Sequence, residues 1–165
     1  MAIMDYVRTK AGAALGARLR RLSERLDNDA ARAYAAQGVE FEQRWFGVLN
    51  QLALNGPMSV GALAEALGIT HVSVSQTRVS LEKVGLIRQE PDASDARRRL
   101  LSLSPRGKAL AARLAPLWAA FEQASLALDA EVGGLGDALA RLEAALERQS
   151  LFERITAAYD ARGRR

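Results

Sequence analysis

Residues 57–103 read PMSVGALAEALGITHVSVSQTRVSLEKVGLIRQEPDASDARRRLLSL, and the fold turns on this stretch. Ser59 precedes Val60, Leu63, Ala64 and Leu67, which fall on one helical face, so it reads as the N-cap of a short helix. Gly68 supplies a turn and Ile69 is expected to plug inward. Thr70 then caps a second helix running to about Val84, where Gly85 ends it. Residues 86–89 and 99–103 follow as short strands around a polar tip, residues 90–98, that contains Pro91. Two helices about a glycine turn and then a hairpin make a helix-turn-helix with a β-wing. In that layout the second helix suits the major groove of DNA.

Outward from this module the chain reads as helix. On its N-terminal side the run NGP at residues 55–57 stops a helix expected to start at Glu40, and Gly38 marks the break before it. Residues 5 to about 35 read as one long helix, because Leu15, Leu19, Leu22 and Leu26 recur at spacings of 4, 3 and 4 among arginines. On the C-terminal side Ser104 caps and Pro105 opens another helix, expected to bend at Pro116. Gly133–Gly136 interrupts it. A last helix is expected to carry Leu135, Leu139, Leu142, Leu146, Leu151, Ile155 and Tyr159, at spacings that begin 4, 3, 4 and then loosen. The fold class is therefore mainly α, in the α+β sense: a winged helix-turn-helix over residues 40–107. Residues 1–38 and 108–165 form a helical dimerisation region, because these outer helices carry more apolar stripe than a small module can cover.

Composition narrows the function. The chain has 165 residues, a formal charge of +4, and Ala and Leu in place of aromatics, with only 2 Trp, 3 Tyr and 4 Phe. Six basic residues against three acidic ones lie between Leu86 and Lys108, which favours a polyanionic partner there. The absence of cysteine excludes disulfides, thiolate metal sites and thiol switches. With one histidine, His71, no metal site and no cofactor are expected. No nucleophile has a positioned base, so catalysis is not expected either. No apolar run approaches 18 residues and the N-terminus lacks a signal peptide's apolar stretch, so a soluble, cytoplasmic chain is expected.

The candidate base readers are the early residues of the second helix. His71, Ser73, Ser75 and Gln76 are expected to be exposed while Val74 and Leu81 point inward. Gln76 is the best of them, since its amide can pair bidentately with adenine. Thr70 and Thr77 are ambiguous between cap or core and contact. Arg78 lies four after Val74 and three before Leu81, on the face that should pack. Either the helix rotates or Arg78 runs past the core to a phosphate or carboxylate, and the second is the expected case. In the wing, Asp95 precedes Arg97 by two and can orient its guanidinium for a narrow minor groove, while Arg98 and Arg99 alternate faces.

The segments GPMSVGALAEALGIT, VSLEKVGLI and DASDARRRLLSLSPRGKAL, with both flanking helical segments, resemble the MarR family of transcriptional regulators. The FEQRWFGVLNQLALNGPMSV passage with THVSVSQT also resembles the regulatory half of MarR–acetyltransferase fusions, without the acetyltransferase part. The family resemblance implies a homodimer on a pseudo-palindromic operator in double-stranded DNA, in most cases a repressor and in many released by a small, often aromatic or phenolic, ligand. It makes Asp95 and Arg97 the wing-tip pair and residues 71–84 the recognition helix. The chain departs from the family pattern at Gln76, Arg78 and Val79, which leaves the operator open. Tyr34, Trp45, Phe46, Trp118 and Phe121 are the aromatic candidates for lining a ligand crevice. The competing reading is a winged-helix protein–protein adaptor without sequence-specific DNA binding. An adaptor has no need of ARRR on the wing or of an open polar face at residues 71–76.

Overall fold

The computed structural model describes residues 11–92 and 98–163, in two compact units, one ending at Ala112 and the other running from Arg113. A short 3-10 turn over Ala11–Ala14 leads into helix α1, Leu15–Ala36, which begins with the leucine pattern; of the helix expected over residues 5 to about 35, residues 5–10 lie outside the described residues. Helices α2 (Trp45–Asn55), α3 (Val60–Leu67) and α4 (His71–Lys83) follow. Then come strands β1 (Ile87–Pro91) and β2 (Arg99–Leu103), and helix α5 (Pro105–Glu131) continues from the wing. Helices α6 (Leu135–Arg148) and α7 (Leu151–Gly163) complete the described chain.

Helix α2 starts five residues later than Glu40, and packing explains the delay. Gly38 at φ 64° turns the chain so that Val39 and Phe41 drop into the core. The ring of Phe41 lies 4.4 Å from that of Tyr34 and 5.6 Å from that of Trp45, edge-on to the latter. The helix is entered only through a tight turn, in which Trp45 N–H donates to the carbonyl of Glu42 (2.8 Å) and Phe46 N–H to that of Gln43 (3.1 Å).

The helix-turn-helix is held by its caps and by one small core. Ser59 Oγ accepts from the Ala62 amide at 3.2 Å and Thr70 Oγ1 from the Ser73 amide at 3.1 Å, each cap contributing about 1 kcal/mol. At the end of α3, Gly68 takes φ 62°, Gly68 N–H donates to Glu65 and Ile69 N–H to Ala64. This paired C-cap swings the next residue outward. Ile69 is therefore 42% exposed and does not plug inward. Val48, Leu49 and Leu52 of α2 meet Leu63 of α3 and Val74 and Leu81 of α4 in the core, where all six are essentially inaccessible.

The wing is antiparallel, with Ile87 opposite Leu103 and Pro91 opposite Arg99. Pro91 thus ends β1 rather than lying in the tip, a position where a missing N–H is tolerated. Met58 and Leu101 exchange backbone hydrogen bonds of 3.0 and 2.8 Å, so the segment before α3 pairs with β2. Leu101 and Leu103, two apart, both point inward and seat the wing on α2.

In the second unit, Gly133 and Gly134 take φ 81° and 87° and break the helical run after α5, which continues through Pro116. The expected single last helix is two. Ser150 and Glu153 form a reciprocal cap: Ser150 N–H donates to the Glu153 carboxylate at 2.7 Å, and Glu153 N–H donates to Ser150 Oγ at 3.2 Å. Arg154 donates back to the carbonyls of Gln149 and Ala145, satisfying the end of α6. The loosened leucine spacing between Leu146 and Leu151 is this break.

Candidate nucleic-acid interface

The exposed side of α4 is built from its buried side. Val74, Thr77 and Leu81, spaced 3 and 4, take the packing face and are buried. Thr77, and not Arg78, fills the place between the two apolar anchors. One position further round, Arg78 sits at the edge of the core with its side chain 27% exposed and reaches the Glu82 carboxylate at 3.5 Å. The partner is thus a carboxylate, one turn along the same helix. Glu82 is in turn held by Gln89 of β1, whose amide donates to it at 2.7 Å. Arg78, Glu82 and Gln89 form a chain joining α4 to the wing.

His71 and Gln76 are exposed, and Ser75 is half-buried beside them. The imidazole of His71 lies over α3, where a Cβ added to Gly61 would sit 3.5 Å from its Cε1. Thr70 and Ser73 are engaged with each other, their hydroxyls 2.9 Å apart, so both belong first to the cap. Val72 and Val79 are exposed as well, and with His71, Ser75, Gln76 and Arg78 they border an open depression of about 490 Å³ along the helix.

The wing adds charge. Arg99 is exposed and has no ion-pair partner among the described residues. Arg98 is half-exposed but tied to the body of the module: its Nη2 donates to Ser59 Oγ at 3.0 Å, and its Nε lies 3.8 Å from Asp92. Ser59 therefore caps α3 and anchors the wing through one hydroxyl. The expected wing-tip pair, Asp95 and Arg97, lies outside the described residues.

Two polar connections behind the helix escape a reading by periodicity. Trp45 is buried, and its indole N–H donates to Ser80 Oγ of α4 at 3.0 Å. Ser80 in turn donates to Glu42 at 3.3 Å, and Glu42 also pairs with Arg44. These partners stand 35 to 38 residues apart, too far for any local signal. Of the aromatic candidates, Tyr34 and Trp45 are joined through Phe41 in the core, and Phe46 is half-buried on α2. Trp118 and Phe121 are half-buried on the part of α5 that belongs to the second unit. A shallow groove of about 410 Å³ beside Phe41 is bordered by Ala31, Ala35 and Val39.

Among the described residues no group of three or more metal-ligating side chains comes together. No helix among them is long and apolar enough to cross a membrane. Comparison with known proteins bears on the same segment. Residues 38–98 match the model of the MarR family, and no curated protein matches the chain. A MarR family regulator from Neisseria meningitidis is similar at 27% identity and a TM-score of 0.53, over 88% of this chain and 95% of its own. The S. aureus MepR–DNA complex is similar at 22% identity and TM-score 0.65, over 78% and 94%. Bordetella bronchiseptica BpsR, whose DNA binding is regulated by 6-hydroxynicotinic acid, is similar at 22% and 0.57, over 90% and 91%.

Proposed function

We propose that the chain, which carries the winged-helix fold of MarR-family regulators, is a sequence-specific DNA-binding repressor in the cytoplasm and not an enzyme. It acts as a homodimer on a pseudo-palindromic operator and is released by a small aromatic ligand. One observation carries the reading. Helix α4 is locked from behind by Val74, Thr77 and Leu81 and from its end by Glu82 and Gln89, so its open face is held in place against a wing that carries an exposed arginine, Arg99. Rigid presentation with adjacent cations is what a groove reader requires. In this proposal Gln76, Ser75 and His71 meet base edges or phosphates. Thr70 and Ser73 set the helix start, Arg98 and Arg99 serve the phosphate backbone, and at the wing tip Asp95 orients Arg97 for a narrow minor groove.

The ligand half of the proposal rests on connectivity. Trp45 closes the aromatic cluster of Tyr34 and Phe41 at one side and bonds to Ser80 of the recognition helix at the other. A planar acid entering against this cluster shifts the indole and so the helix. BpsR, of the same fold, is regulated by 6-hydroxynicotinic acid, a molecule of that class.

Fluorescence anisotropy on duplexes selected from random sequence, across a salt series, tests both halves. The expected result is salt-sensitive binding at two chains per duplex, at least about 1,000-fold tighter than to unselected DNA, and weakened by aromatic hydroxy-acids. Weak binding, equal on all duplexes, would instead favour a protein–protein adaptor.

A further inference from the structure

Two valines stand on the face of α4 that the regulator reading turns toward DNA. Val72 is 65% exposed and Val79 is 55% exposed, although Val74 and Leu81 already satisfy the core. They are seven residues apart, two full turns, with Gln76 between them, so the three side chains lie along one stripe. Valine is a poor choice for an exposed helical site: branching at Cβ costs rotamer freedom and gains nothing in water. Between His71 and Leu81 the one permanent cation is Arg78, and it is tied to Glu82. The stripe therefore offers two apolar branched side chains and one amide, without a free guanidinium for guanine.

On the premise that α4 enters the major groove, we propose that Val72 and Val79 are specificity-determining residues that read thymine methyl groups. The operator half-site is then A·T-rich at its centre. In the major groove only thymine presents a methyl, and adenine presents the acceptor–donor pair that a glutamine amide matches bidentately. The partner is the edge of a DNA duplex because the flanking charge is complementary: Arg99 stands exposed on the wing, whose β1 packs against α4, and the one carboxylate on α4, Glu82, is occupied by Arg78 and Gln89. Seven helical residues span about 10 Å, roughly three base pairs at the 3.4 Å spacing along a strand. Each half-site thus holds two methyl contacts on either side of the pair met by Gln76.

Replacing thymine by deoxyuridine removes that methyl and nothing else. The experiment is a deoxyuridine scan of the duplex selected from random sequence, read by anisotropy with the full chain and with Val72→Ala and Val79→Ala. Both valines are surface residues, so these variants leave the core intact. The expected result is a loss of about four-fold at each of two thymines per half-site, the worth of one buried methyl. One of the two effects vanishes in each variant. If deoxyuridine is tolerated throughout, or its effect persists in both variants, the valines are not readers, while selection of a specific duplex keeps the regulator reading. If no sequence is selected at all, both readings fall.

Discussion

Gly107 carries a packing requirement that no sequence pattern announces. A Cβ at this position would lie 2.0 Å from the carbonyl oxygen of Leu86, which already accepts the Ser104 amide at 3.0 Å. Backbone meets backbone there, at the base of the wing and the first turn of α5, so neither side can yield. Gly107→Ala is expected to destabilise the chain by about 3 kcal/mol, read as a lowered urea midpoint with an unchanged slope. Gly47 is the contrast. An added Cβ would approach Leu67 Cδ2 at 2.9 Å, a flexible side chain that can turn aside. The change to alanine also favours a helix interior, so Gly47→Ala is expected within about 1 kcal/mol of neutral. Equal losses in the two variants would remove the distinction between a rigid and a movable neighbour.

At the scale of the element, caps decide where helices begin, and they were unevenly legible. Ser59, Thr70 and Ser104 each precede a clean apolar pattern and are readable in advance; Ser104 Oγ accepts the Gly107 amide at 3.0 Å and donates to the Gly85 carbonyl at 2.7 Å. The Ser150–Glu153 cap was masked because leucines continue across it and suggest one helix. Its signature, a serine three before a glutamate, was present all the same. The hydroxyl and then the amide of Ser150 hold the Glu153 carboxyl below its ordinary value of 4.5, with Arg154 assisting. A carboxylate with a lowered folded pKa stabilises the helix above its unfolded value, and that contribution is lost as pH falls through the lowered folded value. The start of α7 is therefore expected to be firm at neutral pH and to fray only below about pH 4.5. Amide exchange or chemical shifts of Ser150 and Glu153 over an acid titration measure this. In Glu153→Gln the pH dependence should disappear, and its persistence would point to another group.

For the whole molecule the informative surface is apolar. Leu15, Leu19, Leu22 and Leu26 of α1 are 46, 40, 48 and 58% exposed, a stripe along one face of a 22-residue helix. In the second unit α6 and α7 bury no residue, while Leu135, Leu139, Leu151, Ile155 and Tyr159 lie open. An isolated chain gains little by keeping such faces in water, and a symmetric second copy is the occupant the proposed function requires. Leu19→Glu with Leu22→Glu is expected to raise the dimer Kd by at least about 100-fold, since each buried leucine contributes about 1.5–3 kcal/mol and every 1.4 kcal/mol is roughly tenfold. Sedimentation velocity over a concentration series reads this directly. A double variant that sediments as the parent does would place the dimer contact elsewhere.

Local chemistry was enough for the order of elements. Caps, glycine turns and apolar periodicity act over three or four residues, so a single chain displays them, and the winged helix-turn-helix could be read from residues 57–103 before any contact was known. What the sequence could not display is pairing at long separation. Periodicity placed Arg78 on the packing face, yet Thr77 fits between Val74 and Leu81 and leaves Arg78 to Glu82. Ile69 was drawn inward by its apolarity and turned outward by the backbone of a C-cap. Trp45 to Ser80, Ser59 to Arg98 and Gly107 against Leu86 join residues 21 to 39 apart, and only the closed core brings them within reach. Secondary structure follows from neighbours along the chain, whereas the orientation of α4 follows from neighbours in space.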